Sequence, residues 1–341
     1  MKKSYLALLA IVLACCVETP AGVTFVKLTP PMMITGLEAG TIDGAVIWEP
    51  WASLSVQRGL ANYKLNSSDI WEEHPCCVVA ADREWSSGNE ELLTRFVAAH
   101  IAAINWINRA LEENNSKLYS YAEKLTGLNR SVVEPAIKNM EFDYHIKEQA
   151  IKEVGEAFND FELYIAQKWN SSGYNSIDRY VNSIIDERYI DNATKRTSED
   201  IPFWQNLCPP LPQPQRDMEM VRIGYIKGDL HHLPLFVAIG EGFLENTGIS
   251  PVLQSFDNGP DMMVQGFKMG TVDIGYLGIA PVLIYSINAN DGDLEIDVVA
   301  QVNSEGSAIV IRKGVDKIRT LATPGPGSVQ YFLALRAKDE L

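Results

Sequence analysis

PPMMITGLEAGTID at residues 30–43 and PDMMVQGFKMGTVD at residues 260–273 are two versions of one segment, with seven identities in fourteen positions. A match of this density indicates a structural unit that occurs twice in the chain. The pattern predicts strand, short helix, strand in each copy, with Gly40 and Gly270 as helix C-caps. Each copy lies between two apolar runs, at residues 23–28 and 44–48 in the first copy and at residues 251–256 and 274–277 in the second.

The two copies differ in what precedes them. A further strand at residues 221–226 and a helix at 233–240 come before the second copy, whereas the first copy has no such partner upstream. The missing partner is predicted at the far end of the chain, as a strand at 320–323, a loop at 325–328 and a helix at 329–338. Alternating strands and helices favour mainly parallel sheets flanked by helices. We therefore expect an α/β protein of two lobes with a circularly permuted order.

Composition bounds the possible partners. The chain has 341 residues, of which 46% are hydrophobic, so it is long enough for two globular domains with their own cores. Its formal net charge of −15 argues against a nucleic-acid partner, because such binding needs a clustered Lys/Arg surface. The acidity is typical of a soluble protein, and we expect a monomer.

Residues 1–22 resemble an export leader. Two lysines precede an apolar run that is too short for an ordinary membrane span. The run ends in Val-Leu-Ala-Cys, which predicts either lipidation at Cys15 or plain cleavage near Ala21. Both outcomes place the protein in the periplasm or at the extracellular face of the cell membrane.

The remaining cysteines are Cys16, Cys76, Cys77 and Cys208. An adjacent pair and one distant residue make neither a disulfide framework nor a CxxC metal spacing, so we expect no metal site. Cys76 and Cys77 are interpreted as small strand residues, with a redox role as the alternative.

Residues 89–190 carry apolar positions at helical spacing. Residues 191–220 differ, because their Pro-Pro-Leu-Pro-Gln-Pro run can neither continue a helix nor join a central strand, and we interpret them as a linker. The helices are predicted at residues 90–111, 117–125, 132–140, 148–169 and 177–185.

An ordered set of short motifs resembles the periplasmic binding proteins for nitrate, sulfonates, taurine and thiamine-pyrimidine precursors. The series begins with VRIGYI at residues 221–226 and HHLPLFVA at 231–238 and resumes near the N-terminus with DGAVIWEPW at 43–51. Between these lie GFL at 242–244, GTVDIG at 270–275, VVAQ at 298–301, AIVIR at 308–312 and PGS at 326–328.

The resemblance implies a type II-like periplasmic-binding fold whose two lobes close on a small ligand. It implies the extracytoplasmic component of an ABC-type importer, with a membrane permease as partner and no cofactor. We place the crossings between lobes at residues 77–81 and 309–313. One lobe is then residues 23–77 plus 313–341, and the other is residues 78–312.

Ligands of open α/β sheets bind beyond the carboxyl ends of the strands, so the loops there supply the candidate residues. Gly327 and Ser328 offer close backbone approach and a helix N-terminus, with a plain N-cap as the alternative. His231 and His232 offer imidazole groups, or are ordinary loop histidines. Gly278, Ala280, Asn303 and Ser304 end later strands and offer small or amide groups, or plain turns.

Trp48 and Glu49 leave a strand of the other lobe. An aromatic platform beside a carboxylate suits an amine-bearing or heteroaromatic ligand, whereas Ser328 suits an anion, so the solute stays open.

No Gly-x-Ser-x-Gly elbow, His-Glu-x-x-His helix or P-loop is present, so no catalytic residue is predicted. Two other classes stay open. The related thiamine-pyrimidine synthases use a His with a cysteine-rich motif, of which Cys76 and Cys77 fall short. A sensor or scaffold without a ligand is the other alternative.

Overall fold

Two six-stranded sheets form the framework of the protein. The computed structural model describes residues 17–18, 22–160, 176–199, 218–288 and 294–341. The strands are β1 (Val17–Glu18), β2 (Thr24–Lys27), β3 (Gly44–Trp48), β4 (Ala61–Asn66), β5 (Pro75–Asp82), β6 (Met140–Glu141), β7 (Glu219–Ile226), β8 (Ile249–Phe256), β9 (Ile274–Gly278), β10 (Ile296–Glu305), β11 (Ser307–Arg312) and β12 (Thr320–Thr323). The first sheet has the order β1-β2-β12-β3-β11-β4, and the second β6-β10-β5-β9-β7-β8.

Helices flank both sheets. Those of the first lobe are Pro30–Ala39, Trp51–Gln57, Ser67–Ile70 and Val329–Arg336. Those that follow β5 and precede β7 are Arg83–Gly88, Glu90–Glu112, Ser116–Thr126, Arg130–Ile137, Glu148–Asp160, Ile177–Ile184 and Arg188–Glu199. Those between β7 and β10 are Leu233–Gly240, Phe243–Asn246, Gly259–Asp261 and Ile279–Asn288, with a π-helical turn at Met262–Phe267 and a 3-10 turn at Leu230–His232.

The internal repeat is confirmed as a repeated unit. The first copy runs from β2 through a helix to β3, and the second runs from β8 through a helix to β9. Gly40 caps the first helix with a left-handed φ of 71°, which a residue with a Cβ adopts only at a cost. Gly270 has the same conformation, with φ 63°, but the second helix is capped earlier, at Lys268.

The C-terminal strand completes the first sheet. β12 pairs in parallel with β2, with Leu321 opposite Phe25, and in parallel with β3. The order β2-β12-β3 is matched in the second sheet by β8-β7-β9, whose strands are also parallel. β12 therefore occupies in the first lobe the place that β7 occupies in the second, as the predicted permutation requires.

The crossings between the two sheets lie a few residues from their predicted positions. The chain leaves the first sheet after Asn66 and joins the second at Pro75. It returns at Gly306, between β10 and β11, and β11 pairs with β3 and β4 of the first sheet. Residues 307–312 therefore belong to the first sheet and not to the predicted 78–312 lobe. Periodicity could not locate this change, because β10 and β11 follow one another with only Gly306 between them, and this glycine has a left-handed φ of 79°.

The helical region agrees with the predicted elements and differs at some ends. The helix predicted at 132–140 ends at Ile137, because Met140–Glu141 pairs with β10 as β6. The predicted linker 191–220 was wrong at both ends, since Arg188–Glu199 is helical and β7 starts at Glu219. Most of the remainder, like part of the helix predicted at 148–169, lies outside the described residues.

The leader also lies mostly outside the described residues, including Cys15, so lipidation and cleavage stay predictions. Only Val17–Glu18, which pairs with β2, and Gly22 are described there. Within the ranges given above, no helix combines the length and apolar character that crossing a membrane requires.

Candidate ligand-binding site

A cleft of about 440 Å³ lies between the two sheets, at the carboxyl ends of six strands. In the first lobe, residues that end or follow β2, β3 and β12 line it, and in the second lobe those of β7, β8 and β9. These are the corresponding strands of the two copies, so the cleft faces equivalent loops from both sides. Its floor includes Cys76 and Cys77 of β5, the strand by which the chain enters the second sheet.

Five of the predicted ligand residues line this cleft. They are Trp48, His231, Gly278, Gly327 and Ser328. The Nε1–H of Trp48 is buried and has no hydrogen-bond acceptor among the described residues. Ser328 caps the helix Val329–Arg336, accepting from the Tyr331 amide at 3.1 Å. The predicted N-cap is confirmed, and its hydroxyl also donates to the Gly325 carbonyl at 2.8 Å.

The other five predicted residues do not line the cleft, and all of them except Ala280 make a side-chain hydrogen bond inside the protein. The Asn303 amide oxygen accepts from the Cys77 backbone N–H at 3.3 Å, and the Ser304 hydroxyl accepts from Gln301 at 2.8 Å. The Nδ1 of His232 accepts from the Ile226 backbone N–H at 3.0 Å. Ala280 is buried in the helix Ile279–Asn288. The fifth residue, Glu49, holds the two lobes together.

Glu49 is a buried carboxylate that bridges the lobes. Its Oε1 accepts from Asn139 at 2.7 Å, from the Ser53 hydroxyl at 3.0 Å and from Tyr63 at 3.1 Å. Its Oε2 accepts from the Ser53 backbone N–H at 3.0 Å. Ser53 and Tyr63 belong to the first lobe, whereas Asn139 immediately precedes β6 of the second sheet. The carboxylate therefore connects the lobes and is unavailable to a ligand in this arrangement.

The burial of Glu49 leads us to expect that the stability of the protein depends on pH. Burial has the largest influence on Glu49 and raises its pKa above the ordinary 4.5, although the hydrogen bonds oppose the change. The folded state then binds the proton more tightly than the unfolded state, so this contribution to stability is complete at low pH and is lost as the pH rises from 4.5 through the raised pKa. Glu49→Gln cannot titrate. We expect the free energy of unfolding of the wild type, measured relative to Glu49→Gln, to fall over this range.

Urea denaturation at a series of pH values measures this difference. Glu38→Gln, at an exposed position of the same lobe, removes one carboxyl in the same way and is the control. A difference between wild type and Glu49→Gln that stays constant, or rises with pH, would contradict the prediction.

A buried cluster on the cleft floor was missed by the sequence analysis. Cys76, Cys77, Asp229 and His231 come together there, with the Cys76 sulfur 3.7 Å and an Asp229 oxygen 3.1 Å from Nδ1 of His231. Spacing could not reveal this cluster, because Cys76 and His231 are 155 positions apart in the chain. Cys76 and Cys77 are free thiols in a buried strand, as predicted, but both also face the cleft.

The cluster shifts the pKa of each member. A hydrogen bond from Cys77 is the largest influence on Cys76, and it lowers the pKa of that thiol to about 6, with the charge of His231 acting in the same direction. Burial alone would lower the pKa of His231, but Cys76 and Asp229 outweigh it and raise the pKa. The pair therefore favours a thiolate beside an imidazolium.

The cleft is asymmetric in charge. Lys27 lines it from the first lobe, together with the indole N–H of Trp48 and the N-terminus of the helix Val329–Arg336. Asp229, Asp257 and Asp261 line it from the second lobe. Hydrogen-bond donors thus gather on one side and carboxylates on the other. The sequence analysis did not select Lys27 or these aspartates, because single charged residues at strand ends are common.

Two α/β lobes joined by two crossings, with a polar cleft at the strand ends, define a two-lobed binding-protein fold. The model of the NMT1-like family matches residues 10–121 and 215–330, which is more than half of the chain. The protein therefore belongs to the NMT1-like family.

Several curated proteins are similar over part of the chain. The nitrate import ATP-binding protein NrtC of Synechocystis is 31% identical over 28% of this chain and 13% of its own length. The nitrate/nitrite binding protein NrtA of Nostoc is 24% identical over 35% of this chain and 28% of its own. A putative aliphatic sulfonates-binding protein of Bacillus subtilis is 29% identical over 35% and 34%. The matched region thus spans about a third or less of each relative.

Proposed function

We propose that this protein is the extracytoplasmic solute-binding component of an ABC-type importer. It captures a small polar or anionic solute in the cleft and presents the closed form to a membrane permease. The observation that carries the proposal is the convergence of equivalent loops from both repeats on one cleft, the geometry that lets two lobes close on one ligand. The predicted leader supplies export, with a lipid anchor at Cys15 or release by cleavage.

The first-lobe side of the cleft favours an oxyanion. Trp48 offers a buried donor without an acceptor, and a buried donor left unpaired costs free energy that a ligand oxygen recovers. Lys27 and the free N–H groups that begin the helix Val329–Arg336 add positive charge on the same side. A sulfonate, taurine, nitrate, bicarbonate or a thiamine-pyrimidine precursor would each present suitable acceptor atoms. The names of the nitrate-binding and sulfonates-binding relatives are in keeping with this class.

Binding without catalysis is the function we propose. A ligand-free sensor or scaffold is disfavoured by the cleft itself, because loops that had lost a ligand site would fill the space. One observation favours an enzyme of the synthase type as a second candidate: the Cys76–His231 pair resembles an activated thiol. The two functions differ in a simple measurement, since an enzyme consumes its substrate and a binding protein returns it unchanged.

A thermal-shift screen over nitrate, sulfonates, bicarbonate, amino acids and pyrimidines tests the proposal. A solute that binds the native state at about 100 times its Kd stabilises the protein by about 2.7 kcal/mol, so the Tm should rise with solute concentration. The same solutes are then incubated with the protein and a pyridoxal-type cofactor. Turnover without any concentration-dependent shift would overturn the binding function in favour of the enzyme.

A conservative substitution in the cleft tests whether the solute that raises the Tm binds there. Trp48→Phe keeps the aromatic ring and removes the N–H, so we expect the affinity for an anionic solute to fall roughly tenfold or more. Trp51→Phe, on the helix that follows, is the matched control and should bind as the wild type does. Equal binding by both variants would show that Trp48 does not donate to the solute.

A further inference from the structure

The geometry points to a divalent-metal site on the floor of the cleft, and we propose that Cys76, Cys77, Asp229 and His231 bind Zn²⁺ or a similar thiophilic ion. The sulfur atoms of Cys76 and Cys77 and a ring nitrogen of His231 all lie within 4.8 Å of one another. Tetrahedral Zn²⁺ binds thiolate sulfur at about 2.3 Å and imidazole nitrogen at about 2.0 Å, so ligand atoms of one site lie a few ångströms apart. The 3.7 Å between Cys76 Sγ and His231 Nδ1 is of that size.

The orientation of the His231 ring is the second observation. Its Nε2 lies 3.1 Å from the Gly306 carbonyl oxygen, which can only accept, so Nε2 carries a proton. Its other nitrogen, Nδ1, lies 3.1 Å from an Asp229 oxygen and 3.7 Å from Cys76 Sγ, so this side of the ring faces the other proposed ligands.

The ring contact to Gly306 is also the arrangement that metal-ligating histidines use. Such a histidine almost always donates its other ring N–H to a carboxylate or a backbone carbonyl, which fixes the ring for the metal. Gly306 is the crossing between β10 and β11, and a Cβ there would come within 2.3 Å of His231 Nε2. The glycine therefore permits the close approach that holds the ring in place.

His232 supports the site from outside. Its Nδ1 accepts from the Ile226 backbone N–H, so its Nε2 carries the proton and cannot bind a metal. This Nε2 is buried, lacks a hydrogen-bond partner among the described residues and lies 3.9 Å from an Asp229 oxygen. The Nε2–H could donate to a carboxylate oxygen slightly closer than this. An Asp229 that bound a metal would be shifted in this way. The proposed ligands are then two sulfur atoms and one nitrogen within 4.8 Å of one another, and an Asp229 oxygen 3.1 Å from that nitrogen, a set that favours Zn²⁺ over the hard cations.

Access and charge agree with a metal at this place. All four residues are buried, yet all four also line the cleft, so an ion can enter from the cleft when the lobes are open. Binding would release two protons to solvent, one from the Cys77 thiol and one from the Cys76–His231 pair. The site does not depend on which solute the cleft takes.

Metal titration of the full chain tests the proposal. We expect the metal-stripped protein to bind about one equivalent of Zn²⁺ in competition with a chromophoric chelator. Co²⁺ in its place should give thiolate charge-transfer absorption and the visible bands of a tetrahedral ion. Cys76→Ser and His231→Gln should each weaken Zn²⁺ binding by more than the roughly 10–100-fold that loss of an outer-shell partner costs.

One control separates this site from other imidazoles. His145→Gln should leave the Zn²⁺ affinity unchanged, and the metal-free melt of each variant reports whether it folds. The proposal is overturned if the wild type binds no Zn²⁺, in which case a proton occupies His231 Nδ1, or if Cys76→Ser binds as tightly as the wild type. Neither result would alter the anion-dependent melting shift, so failure here is distinguishable from failure of the solute-binding function.

Discussion

Leu321→Ala is expected to lower the free energy of unfolding by about 2–5 kcal/mol, the range for a fully buried leucine whose removal leaves a cavity. Leu321 lies in β12, the strand from the end of the chain that fills the gap between β2 and β3. Its side chain is completely buried, and it pairs with Phe25 and Gly44 of the two neighbouring strands. Because β12 joins the two ends of the chain in one sheet, the stability of the first lobe should depend on Leu321.

Leu253→Ala is the matched control for this substitution. Leu253 lies on β8, the edge strand of the second sheet, and is 40% exposed, so the same change of side chain should alter stability by about 0.5 kcal/mol or less. Urea denaturation measures both variants. A Leu321→Ala effect no larger than that of Leu253→Ala would mean that β12 does not belong to the core of the first lobe.

Gly327→Val is expected to weaken solute binding roughly 100-fold, or about 3 kcal/mol. Gly327 lies in the first-lobe loop of the cleft with a left-handed φ of 95°, which valine adopts poorly. A Cβ at this position would lie 3.0 Å from Cδ1 of Ile284, which belongs to the helix after β9 in the second lobe. The added side chain would act as a wedge between this first-lobe loop and the second-lobe helix Ile279–Asn288.

Gly314→Val separates the wedge from the backbone strain. Gly314 has a comparable φ of 79°, but a Cβ there meets no atom within 4 Å. Both variants should therefore lose similar stability, and only Gly327→Val should lose affinity, measured by calorimetry with a solute identified in the thermal-shift screen. Small-angle scattering should also show that only Gly327→Val fails to become more compact with solute. Unchanged affinity in Gly327→Val would show that closure does not bring these loops together.

The site was predictable in outline because of one rule of sheet geometry. Loops that follow parallel strands gather at one edge, so Trp48, His231, Gly278, Gly327 and Ser328 could be selected from strand ends alone. The same rule also selected residues that turn inward, because the direction of a side chain depends on local backbone geometry. Glu49, for example, is one position past Trp48 and points toward Ser53 and Asn139 instead of the cleft.

The sequence by itself determined the repeated strand-helix-strand unit, the two-lobed α/β class and the need for a C-terminal strand near the N-terminus. These follow from local patterns, because apolar periodicity and glycine caps are set by neighbours in the chain. Tertiary structure alone decided that Gly306 is the return crossing, that Glu49 joins the lobes and that Cys76 lies beside His231. Each of these depends on contacts between residues far apart in the chain. A local sequence pattern does not predict the free energies of such contacts.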